Sequence, residues 1–178
     1  MRIIGLTGGI ACGKSTISLT LKSLGATIID GDQLSRALTQ PGSLIFASDE
    51  RRHALDDLMQ PLLREMIERE ILRAKEGGAK ICVLDMPLLY EAGLDGLCNT
   101  VWCASLPRET QLARLMARDG FTREEAENRL RSQMDTAEKA RRANIVIPTD
   151  GTIEETAALI PPLYAAELAK EGSHGKHT

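Results

Sequence analysis

The sequence predicts an α/β fold with a mainly parallel β-sheet, and three observations support this prediction. Short apolar runs alternate with amphipathic helical segments along the 178 residues. A glycine-rich motif stands between the first apolar run and the first helical segment. The run from Lys80 to Leu84 is almost continuously apolar, which is typical of strands buried on both faces of a sheet.

The first elements follow from local patterns. Arg2 to Thr7 is predicted to be a buried strand, and Ala26 to Ile29 a second strand that ends at Asp30. Between them, a helix begins at Lys14 and ends at Gly25, a frequent stop residue. Its apolar face consists of Ile17, Leu21 and Leu24.

The middle of the chain predicts two helices before the third strand. Residues 48–60 have helical character, and Pro61 suits the first turn of a further helix. That helix stops at Gly77-Gly78. Its apolar positions are Leu63, Ile67 and Ile71.

The last third predicts two more strands, Val101 to Ala104 and Ile145 to Ile147, with a charged helical region between them. Two capping-box signatures mark helix starts, Thr122 with Glu125 and Thr152 with Glu155. Pro161-Pro162 either interrupts the last helix or begins a new one.

Composition narrows the class of protein. Hydrophobic residues make up 43% of the chain and charged residues 26%, as in ordinary globular domains. The net charge of −3 argues against nucleic-acid binding, and no stretch is long enough to span a bilayer. The four cysteines form no CxxC pair, so we expect neither a zinc site nor disulfides, and a cytoplasmic location.

A phosphate-binding loop is the central motif. Residues 8–15 read GGIACGKS, a full match to GxxxxGKS/T, between a predicted strand and a predicted helix. The glycines allow backbone N–H groups to approach phosphate oxygens, and the helix N-terminus faces the anion. Lys14 is expected to reach the β- and γ-phosphates, and the Ser15 hydroxyl to coordinate Mg²⁺. The predicted nucleotide-binding residues are Gly8, Gly9, Ala11, Cys12, Gly13, Lys14, Ser15 and Thr16.

Two alternatives apply to this loop. The motif could be a chance match in a glycine-rich turn, but the strand before it and the helix after it favour phosphate binding. Cys12 lies near a helix N-terminus, where the pKa of a thiol can fall. We nevertheless interpret Cys12 as a small tolerated side chain, since backbone amides and Lys14 bind the phosphates.

Carboxylates follow two of the predicted strands, at the sheet edge where ligands collect. Asp85 stands where a metal-binding acid is expected, although it could simply cap the turn before Pro87. Asp30 and Asp32 follow the second strand, and both could cap the next helix. We interpret Asp32 as the residue that deprotonates an acceptor hydroxyl and Asp30 as structural.

Arginines are concentrated in residues 108–142. Most are expected to form a solvated helical face with nearby glutamates. Arg114 and Arg118 are four residues apart and share one helix face, so we predict that these two stabilise charge during phosphoryl transfer.

Four stretches together resemble the dephospho-CoA kinase family. They are residues 4–15, IGLTGGIACGKS; residues 28–36, IIDGDQLSR; residues 83–93, VLDMPLLYEAG; and residues 114–133, RLMARDGFTREEAENRLRSQ. The third, which resembles D-x-P-L-L-F/Y-E, and the fourth are far more specific than the phosphate-binding loop.

The resemblance implies ATP-dependent phosphorylation of the ribose 3′-hydroxyl of dephospho-CoA, the last step in making coenzyme A. It implies a P-loop nucleoside-triphosphate hydrolase fold with a five-stranded sheet in the order 2-3-1-4-5. Asp32 would serve the 3′-hydroxyl, Arg114 and Arg118 would act from a lid, and Arg142 would lie near the adenine. The acceptor side would be formed by Asp32, Arg36, Leu88, Leu89, Tyr90 and Glu91.

The same resemblance implies a single kinase domain over residues 1–178. Its core would comprise 1–35, 79–107 and 143–168, with a flexible tail at 169–178. The substrate subdomain would occupy about 36–78 and the lid about 108–142. We expect small-molecule substrates and a monomer or weak homo-oligomer.

The sequence departs from the family pattern at three places. Gly42-Ser43 runs directly into Leu44, where the family carries a further segment. Either the chain is natively short or a mobile stretch is missing from the sequence, and the intact flanking helices favour the second. Gln60 replaces a typical histidine, and Thr149 stands where asparagine is frequent near the adenine.

Two other functions remain as alternatives. Another P-loop small-molecule or nucleoside monophosphate kinase would share the loop, lid and fold, but the 83–93 segment argues against it. A non-catalytic nucleotide switch of the GTPase kind would carry an N-K-x-D motif, which this sequence lacks.

Overall fold

Five parallel strands form one sheet in the order β2-β3-β1-β4-β5. The computed structural model describes residues 1–39 and 52–173. The strands are β1 (Arg2–Gly8), β2 (Thr27–Asp30), β3 (Ile81–Asp85), β4 (Thr100–Ser105) and β5 (Ile145–Pro148). The α/β class predicted from the sequence pattern and the strand order implied by the family resemblance are both confirmed.

Eight helices accompany the sheet in the described part of the chain. They are α1 (Lys14–Ser23), α2 (Gly31–Thr39), α3 (Arg52–Glu76), α4 (Arg108–Asp119), α5 (Arg123–Arg131), α6 (Thr136–Arg142), α7 (Ile153–Ala158) and α8 (Ile160–Ser173). A short 3₁₀ helix spans Asp95–Leu97. Within these described residues, no helix combines the length and apolarity needed to cross a membrane.

The register of the sheet brings the candidate site residues to one edge. Leu6 of β1 lies opposite Asp85 of β3, and Asp30 of β2 lies opposite the same aspartate. Gly8, where the phosphate-binding loop begins, lies opposite Ala104 of β4. Because all five strands are parallel, their carboxyl ends meet at this edge.

Apolar residues cover both faces of the sheet. One layer packs Ile4, Leu6 and Trp102 against helices α1 and α8. The other packs Cys82 and Leu84 against α3 and the segment after β3. The alternation of neighbouring strand residues between the two layers follows the two-residue period of a β-strand. Helices α4 and α5 share a smaller cluster that consists of Leu112, Leu115, Ala126 and Leu130.

The prediction of a helix break at Pro61 is wrong. Helix α3 runs continuously through this proline, from Arg52 to Glu76, while residues 48–51 of the predicted first helix lie outside the described residues. A proline inside a helix costs about 3 kcal/mol because it removes a hydrogen bond and crowds the preceding turn. Leu63 and Ile67 are buried against the sheet just after it. We infer that this packing offsets the local preference for a break.

Both predicted capping boxes are confirmed. The Thr122 hydroxyl accepts from the Glu125 N–H while the Glu125 side chain binds the Thr122 N–H, and Thr152 and Glu155 make the same exchange. Pro161-Pro162 lies in the first turn of α8, so these prolines begin a new helix. A missing N–H is tolerated there because first-turn amides have no partner within the helix.

Candidate active site

The phosphate-binding loop connects β1 to α1. Ala11 (φ 61°) and Gly13 (φ 70°) adopt left-handed backbone conformations. The Cys12 N–H donates to the Gly9 carbonyl at 3.1 Å. Left-handed residues interspersed in a tight turn point successive backbone N–H groups into one concavity, which is an anion-binding arrangement. The loop therefore has the shape that phosphate binding requires.

A buried polar cluster forms hydrogen bonds with the loop carbonyls, on the side away from the expected phosphates. Gln111 of α4 donates from Nε2 to the Ile10 carbonyl at 2.7 Å, and the Thr136 hydroxyl of α6 donates to Gln111 Oε1 at 3.2 Å. The Thr149 hydroxyl donates to the Cys12 carbonyl at 2.8 Å. These three polar side chains are all buried. They hold the loop carbonyls away from the phosphate side and so help to fix the loop conformation.

Two residues of the loop are packed against that cluster. A Cβ added to Gly9 would collide with the Thr136 hydroxyl and with Gln111 Nε2. Cys12 is buried, with its Sγ 3.7 Å from the Thr136 hydroxyl, and burial raises the pKa of this thiol. A thiol with a raised pKa is a poor nucleophile at neutral pH, which agrees with our interpretation of Cys12 as a small tolerated side chain without a catalytic role.

Lys14 and Asp85 form an ion pair at the mouth of the loop. Both side chains are mostly buried, with 18% of Lys14 and 13% of Asp85 exposed. The sequence assigned these residues separately, to phosphate and to metal, and the structure brings them into direct contact. A lysine that already lies at this position needs only to exchange a carboxylate for a phosphate when a nucleotide binds.

Asp32 lies in the first turn of α2 and within the electrostatic range of this pair. Burial raises the pKa of Asp32; the charge of Lys14 lowers it, and the charges of Asp30 and Asp85 raise it further. A raised pKa suits a group that must accept a proton. Asp30 has the structural position expected for it, because its Oδ1 accepts from the Gln33 N–H at 2.9 Å at the start of α2.

The candidate arginines occupy different environments. Arg114 donates from its guanidinium to the Thr149 carbonyl at 2.7 Å and borders Gly13 of the loop. Arg118 instead forms a two-point ion pair with Asp119 at 2.7 and 2.8 Å and is 59% exposed. Among the described residues, we find no contact between Arg118 and the loop. Only Arg114 is therefore in place at the loop in this conformation.

Arg142 lies beside Tyr90, one of the candidate acceptor residues. It pairs with Glu138 at 2.7 Å, and its guanidinium carbon is 5.7 Å from the centre of the Tyr90 ring. The assignment of Arg142 to the adenine side, which the family resemblance implies, stays a prediction. Burial raises the pKa of Tyr90 to about 12, so the phenol stays neutral.

The remaining candidate acceptor residues divide into exposed and buried groups. Leu88 is 36% exposed, whereas Leu89 is fully buried in the core and supports the segment from inside. Glu91 pairs with Lys139 at 2.8 Å and accepts from the Met134 N–H at 3.0 Å. Arg36 donates from Nε to the Asp32 carbonyl at 3.2 Å, which places it beside the candidate proton acceptor.

A groove of about 760 Å³ borders Asp30 at the end of β2. Thr27 to Asp30, Gln33 and Leu34 line one wall, and the α3 residues Glu70, Arg73 and Ala74 line another. None of the loop residues Gly8 to Ser15 lines this groove. Asp32, Arg36 and residues 88–91 do not line it either, so the groove contains none of the predicted site residues.

Comparisons with known proteins identify the family. The sequence model described as "Dephospho-CoA kinase" matches residues 2–45 and 42–155. The dephospho-CoA kinase of Geobacter sulfurreducens is 39% identical over 193 residues, covering 93% of this chain and 98% of the relative. That of Symbiobacterium thermophilum is 38% identical over 200 residues, covering 97% and 84%.

A solved structure gives the same result for the fold. The crystal structure of TT1252 from Thermus thermophilus matches with a TM-score of 0.74 and 31% identity, covering 93% of this chain and 97% of that one. The chain belongs to the dephospho-CoA kinase family. Family membership implies ATP as the phosphoryl donor and a small molecule as the acceptor.

The family model also marks the unusual position noted in the sequence. Its two matches overlap at residues 42–45, which include the junction of Gly42-Ser43 with Leu44. The alignment with the Geobacter relative is longer than the whole 178-residue chain, so the relative has residues that this chain lacks. The junction itself lies outside the described residues.

Magnesium fits the donor atoms at this family's phosphate site. Ser15, in the first turn of α1, is exposed and offers a hydroxyl, and Asp85 offers a carboxylate at the end of β3. Mg²⁺ prefers such oxygen ligands and completes its shell with water and substrate phosphates. No group of three or more His, Cys, Asp or Glu residues forms a metal cage within the described ranges.

Sequence reasoning missed three residues that belong to this site, Gln111, Thr136 and Lys139. Gln111 stands beside Leu112 and near Leu115 on the buried face of α4, and a polar residue on such a face is the one signal that was available. Thr136 and Lys139 lie in a helix with several basic residues, which looks like a solvated surface in the sequence. Their burial depends on the packing of α6 against the sheet.

Proposed function

We propose that this protein transfers the γ-phosphoryl group of ATP to the 3′-hydroxyl of dephospho-CoA and so produces coenzyme A. The observation that carries the proposal is the ion pair of Lys14 with Asp85 next to Asp32, at the mouth of a preformed phosphate-binding loop. A phosphate-binding cation and a proton-accepting carboxylate thus stand together. Family membership supports dephospho-CoA as the acceptor.

Binding of the donor depends on the loop and Lys14. The backbone N–H groups of residues 9–15 surround the β-phosphate, and Lys14 leaves Asp85 to contact the β- and γ-phosphate oxygens. The N-terminus of α1 adds its positive dipole end. Ser15 and the released Asp85 would hold Mg²⁺, which supplies neutralisation of the charge on the β- and γ-phosphates.

The acceptor hydroxyl is activated at Asp32. The 3′-oxygen forms a new bond to the γ-phosphorus while the bond from that phosphorus to the bridging oxygen of ADP breaks. The hydroxyl proton passes to the Asp32 carboxylate, whose raised pKa makes it a better base than a solvated aspartate. The proton later leaves to solvent, and ADP and coenzyme A dissociate.

Arginines stabilise the charge that spreads over the transferred group. Arg114 already borders the loop, and its guanidinium can exchange the Thr149 carbonyl for a phosphoryl oxygen with little movement. Arg118, paired with Asp119 on the same helix, reaches the phosphates only if the lid moves. Arg114 is therefore the better supported of the two.

An acceptor panel tests the proposal. ADP release is measured with ATP and Mg²⁺ in the presence of dephospho-CoA, AMP, phosphopantetheine, or no acceptor. We expect rapid release only with dephospho-CoA, and a product with the mass of coenzyme A. A dephospho-CoA analogue without the 3′-hydroxyl should compete with the substrate but release no ADP.

Each failure of this panel has a distinct meaning. Rapid ADP release with AMP alone would indicate a nucleoside monophosphate kinase. Nucleotide binding without ADP release for any acceptor would favour a nucleotide switch. Phosphorylation of the acceptor analogue that lacks the 3′-hydroxyl would show that a different oxygen is the acceptor.

A further inference from the structure

Lys139 is a lysine on α6 whose side chain is fully buried. Its Nζ donates to the Pro87 carbonyl at 2.5 Å and pairs with Glu91 Oε1 at 2.8 Å. Lysine is almost never fully buried unless it is paired, because removing an ammonium from water is costly. Lys139 therefore has a structural role, because it has no part in the phosphoryl-transfer mechanism described above.

Both partners of Lys139 belong to the segment from Pro87 to Glu91, which follows β3 on the acceptor side. The Pro87 carbonyl also accepts from the Thr7 hydroxyl at 2.9 Å, and Thr7 is the residue before the first glycine of the phosphate-binding loop. The Pro87 carbonyl thus joins one end of the segment to β1 through Thr7 and to α6 through Lys139. At the other end, Lys139 holds Glu91, whose carboxylate also binds the Met134 N–H.

One face of helix α6 contacts both the phosphate-binding loop and the segment from Pro87 to Glu91, here called the acceptor segment. Thr136, Lys139 and Arg142 follow one another at three-residue spacing, which places them on the same side of a helix. The Thr136 hydroxyl is 3.7 Å from Cys12 Sγ in the loop. Arg142 lies over the ring of Tyr90 in the acceptor segment. Lys139, between them, is joined to both ends of that segment.

We propose that Lys139 is a positioning residue, which holds the segment from Pro87 to Glu91 at a fixed distance from the phosphate-binding loop. Glu91 is then the partner of this lysine rather than a direct ligand of the acceptor. This role of Lys139 depends on the proposed function at one point, which is that the acceptor binds against this segment. Loss of Lys139 should loosen the acceptor side while the loop, held by Gln111 and Thr136, still binds the nucleotide.

The test uses the full chain with three variants. Lys139→Met keeps most of the stem and removes the ammonium. Lys139→Met with Glu91→Gln also removes the unpaired carboxylate charge, so it stays folded if the single variant does not. Arg141→Met is the matched control, because Arg141 lies on the same helix and pairs with Glu138 on the surface, with 73% of its side chain exposed.

Three quantities are measured for each variant: KM for dephospho-CoA, the Kd of an unhydrolysable ATP analogue, and amide hydrogen exchange. We expect the KM for dephospho-CoA to rise about 10- to 100-fold in both Lys139 variants. A shift of about 1 Å in a group that positions the substrate can cost an enzyme about 100-fold in activity. The Kd of the ATP analogue should stay within about threefold of the wild-type value. Arg141→Met should match the wild type throughout.

Hydrogen exchange gives a measurement that does not depend on the acceptor. The amides of Ala92, Gly93 and Leu94 donate to carbonyls of Leu88, Tyr90 and Leu89 in the turn that ends the segment. They should exchange faster in both Lys139 variants than in the wild type. This result is expected even if dephospho-CoA proves not to be the substrate, so the two proposals fail separately.

Two outcomes would overturn the role of Lys139. If the double variant has wild-type exchange at residues 92–94 and a wild-type KM, the buried lysine does not position the segment. If the Kd of the ATP analogue rises in parallel with the KM for dephospho-CoA, the damage is general and the residue supports the whole site rather than its acceptor side.

Discussion

Gly9→Ala should disturb the support of the phosphate-binding loop, because a methyl group at this position has no space. The added carbon would collide with the Thr136 hydroxyl and with Gln111 Nε2. Both atoms are in buried hydrogen bonds, Gln111 to the Ile10 carbonyl at 2.7 Å and Thr136 to Gln111 at 3.2 Å. Either these bonds break or the loop moves towards the phosphate side.

The two hydrogen bonds and the overpacking set the magnitude. Each hydrogen bond contributes about 0.5–1.5 kcal/mol, and inserting a methyl group into a packed region costs about 1–3 kcal/mol. Because breaking the bonds relieves part of the overpacking, we expect a total of about 2–4 kcal/mol. The loss is divided between a lower free energy of unfolding and weaker ATP binding, for which about 1.4 kcal/mol corresponds to tenfold in Kd.

Urea unfolding and ATP-analogue titration together measure both parts of this loss. Gly96→Ala is the control, since a Cβ at Gly96 meets nothing within 4 Å. Adding Thr136→Ala to Gly9→Ala removes one of the two colliding groups, so the double variant should lose less than the sum of the single variants. If Gly9→Ala resembles Gly96→Ala in both assays, the contacts behind the loop are not as described.

Three further predictions concern the mouth of the loop. Lys14→Ala should lower kcat by about 100-fold or more with an unchanged far-UV spectrum, because Lys14 contributes charge rather than packing; a lost helical signal would contradict this. Asp32→Asn should lower kcat far more than it weakens ATP binding, and equal losses would indicate a structural role. Asp30→Asn keeps the oxygen that caps α2 but removes a negative charge that raises the pKa of Asp32. The fall of kcat/KM on the acid side, where Asp32 becomes protonated, should therefore move to lower pH. The pKa of Asp32 is higher in the folded protein than in the unfolded chain, so the folded protein binds this proton more tightly. The free energy of unfolding therefore falls as pH rises from the unfolded to the folded pKa value of Asp32. Asp30→Asn should reduce that fall in stability, and a kcat/KM profile that does not move on the acid side would exclude Asp32 as the base.

The elements that the sequence predicted well are those with strong local signals. Strands β1 and β3 are continuous apolar runs, and the capping boxes of α5 and α7 involve residues three positions apart. Helix α3 shows the limit of such signals. Its proline predicts a break, yet the burial of Leu63 and Ile67 keeps the helix continuous. The family itself was recognisable because the 83–93 segment combines several specific residues in a fixed order.

The sequence alone determined the phosphate-binding loop, the α/β class and the carboxylates at the strand ends, because each depends on neighbours along the chain or on the two-residue and 3.6-residue periods. Only the tertiary structure decided the pairing of Lys14 with Asp85 and the burial of Lys139 against Pro87 and Glu91. These contacts join residues 71, 52 and 48 positions apart. A lysine has the same sequence signature whether it is solvated or buried, and the packing of α6 against the sheet is what distinguishes the two.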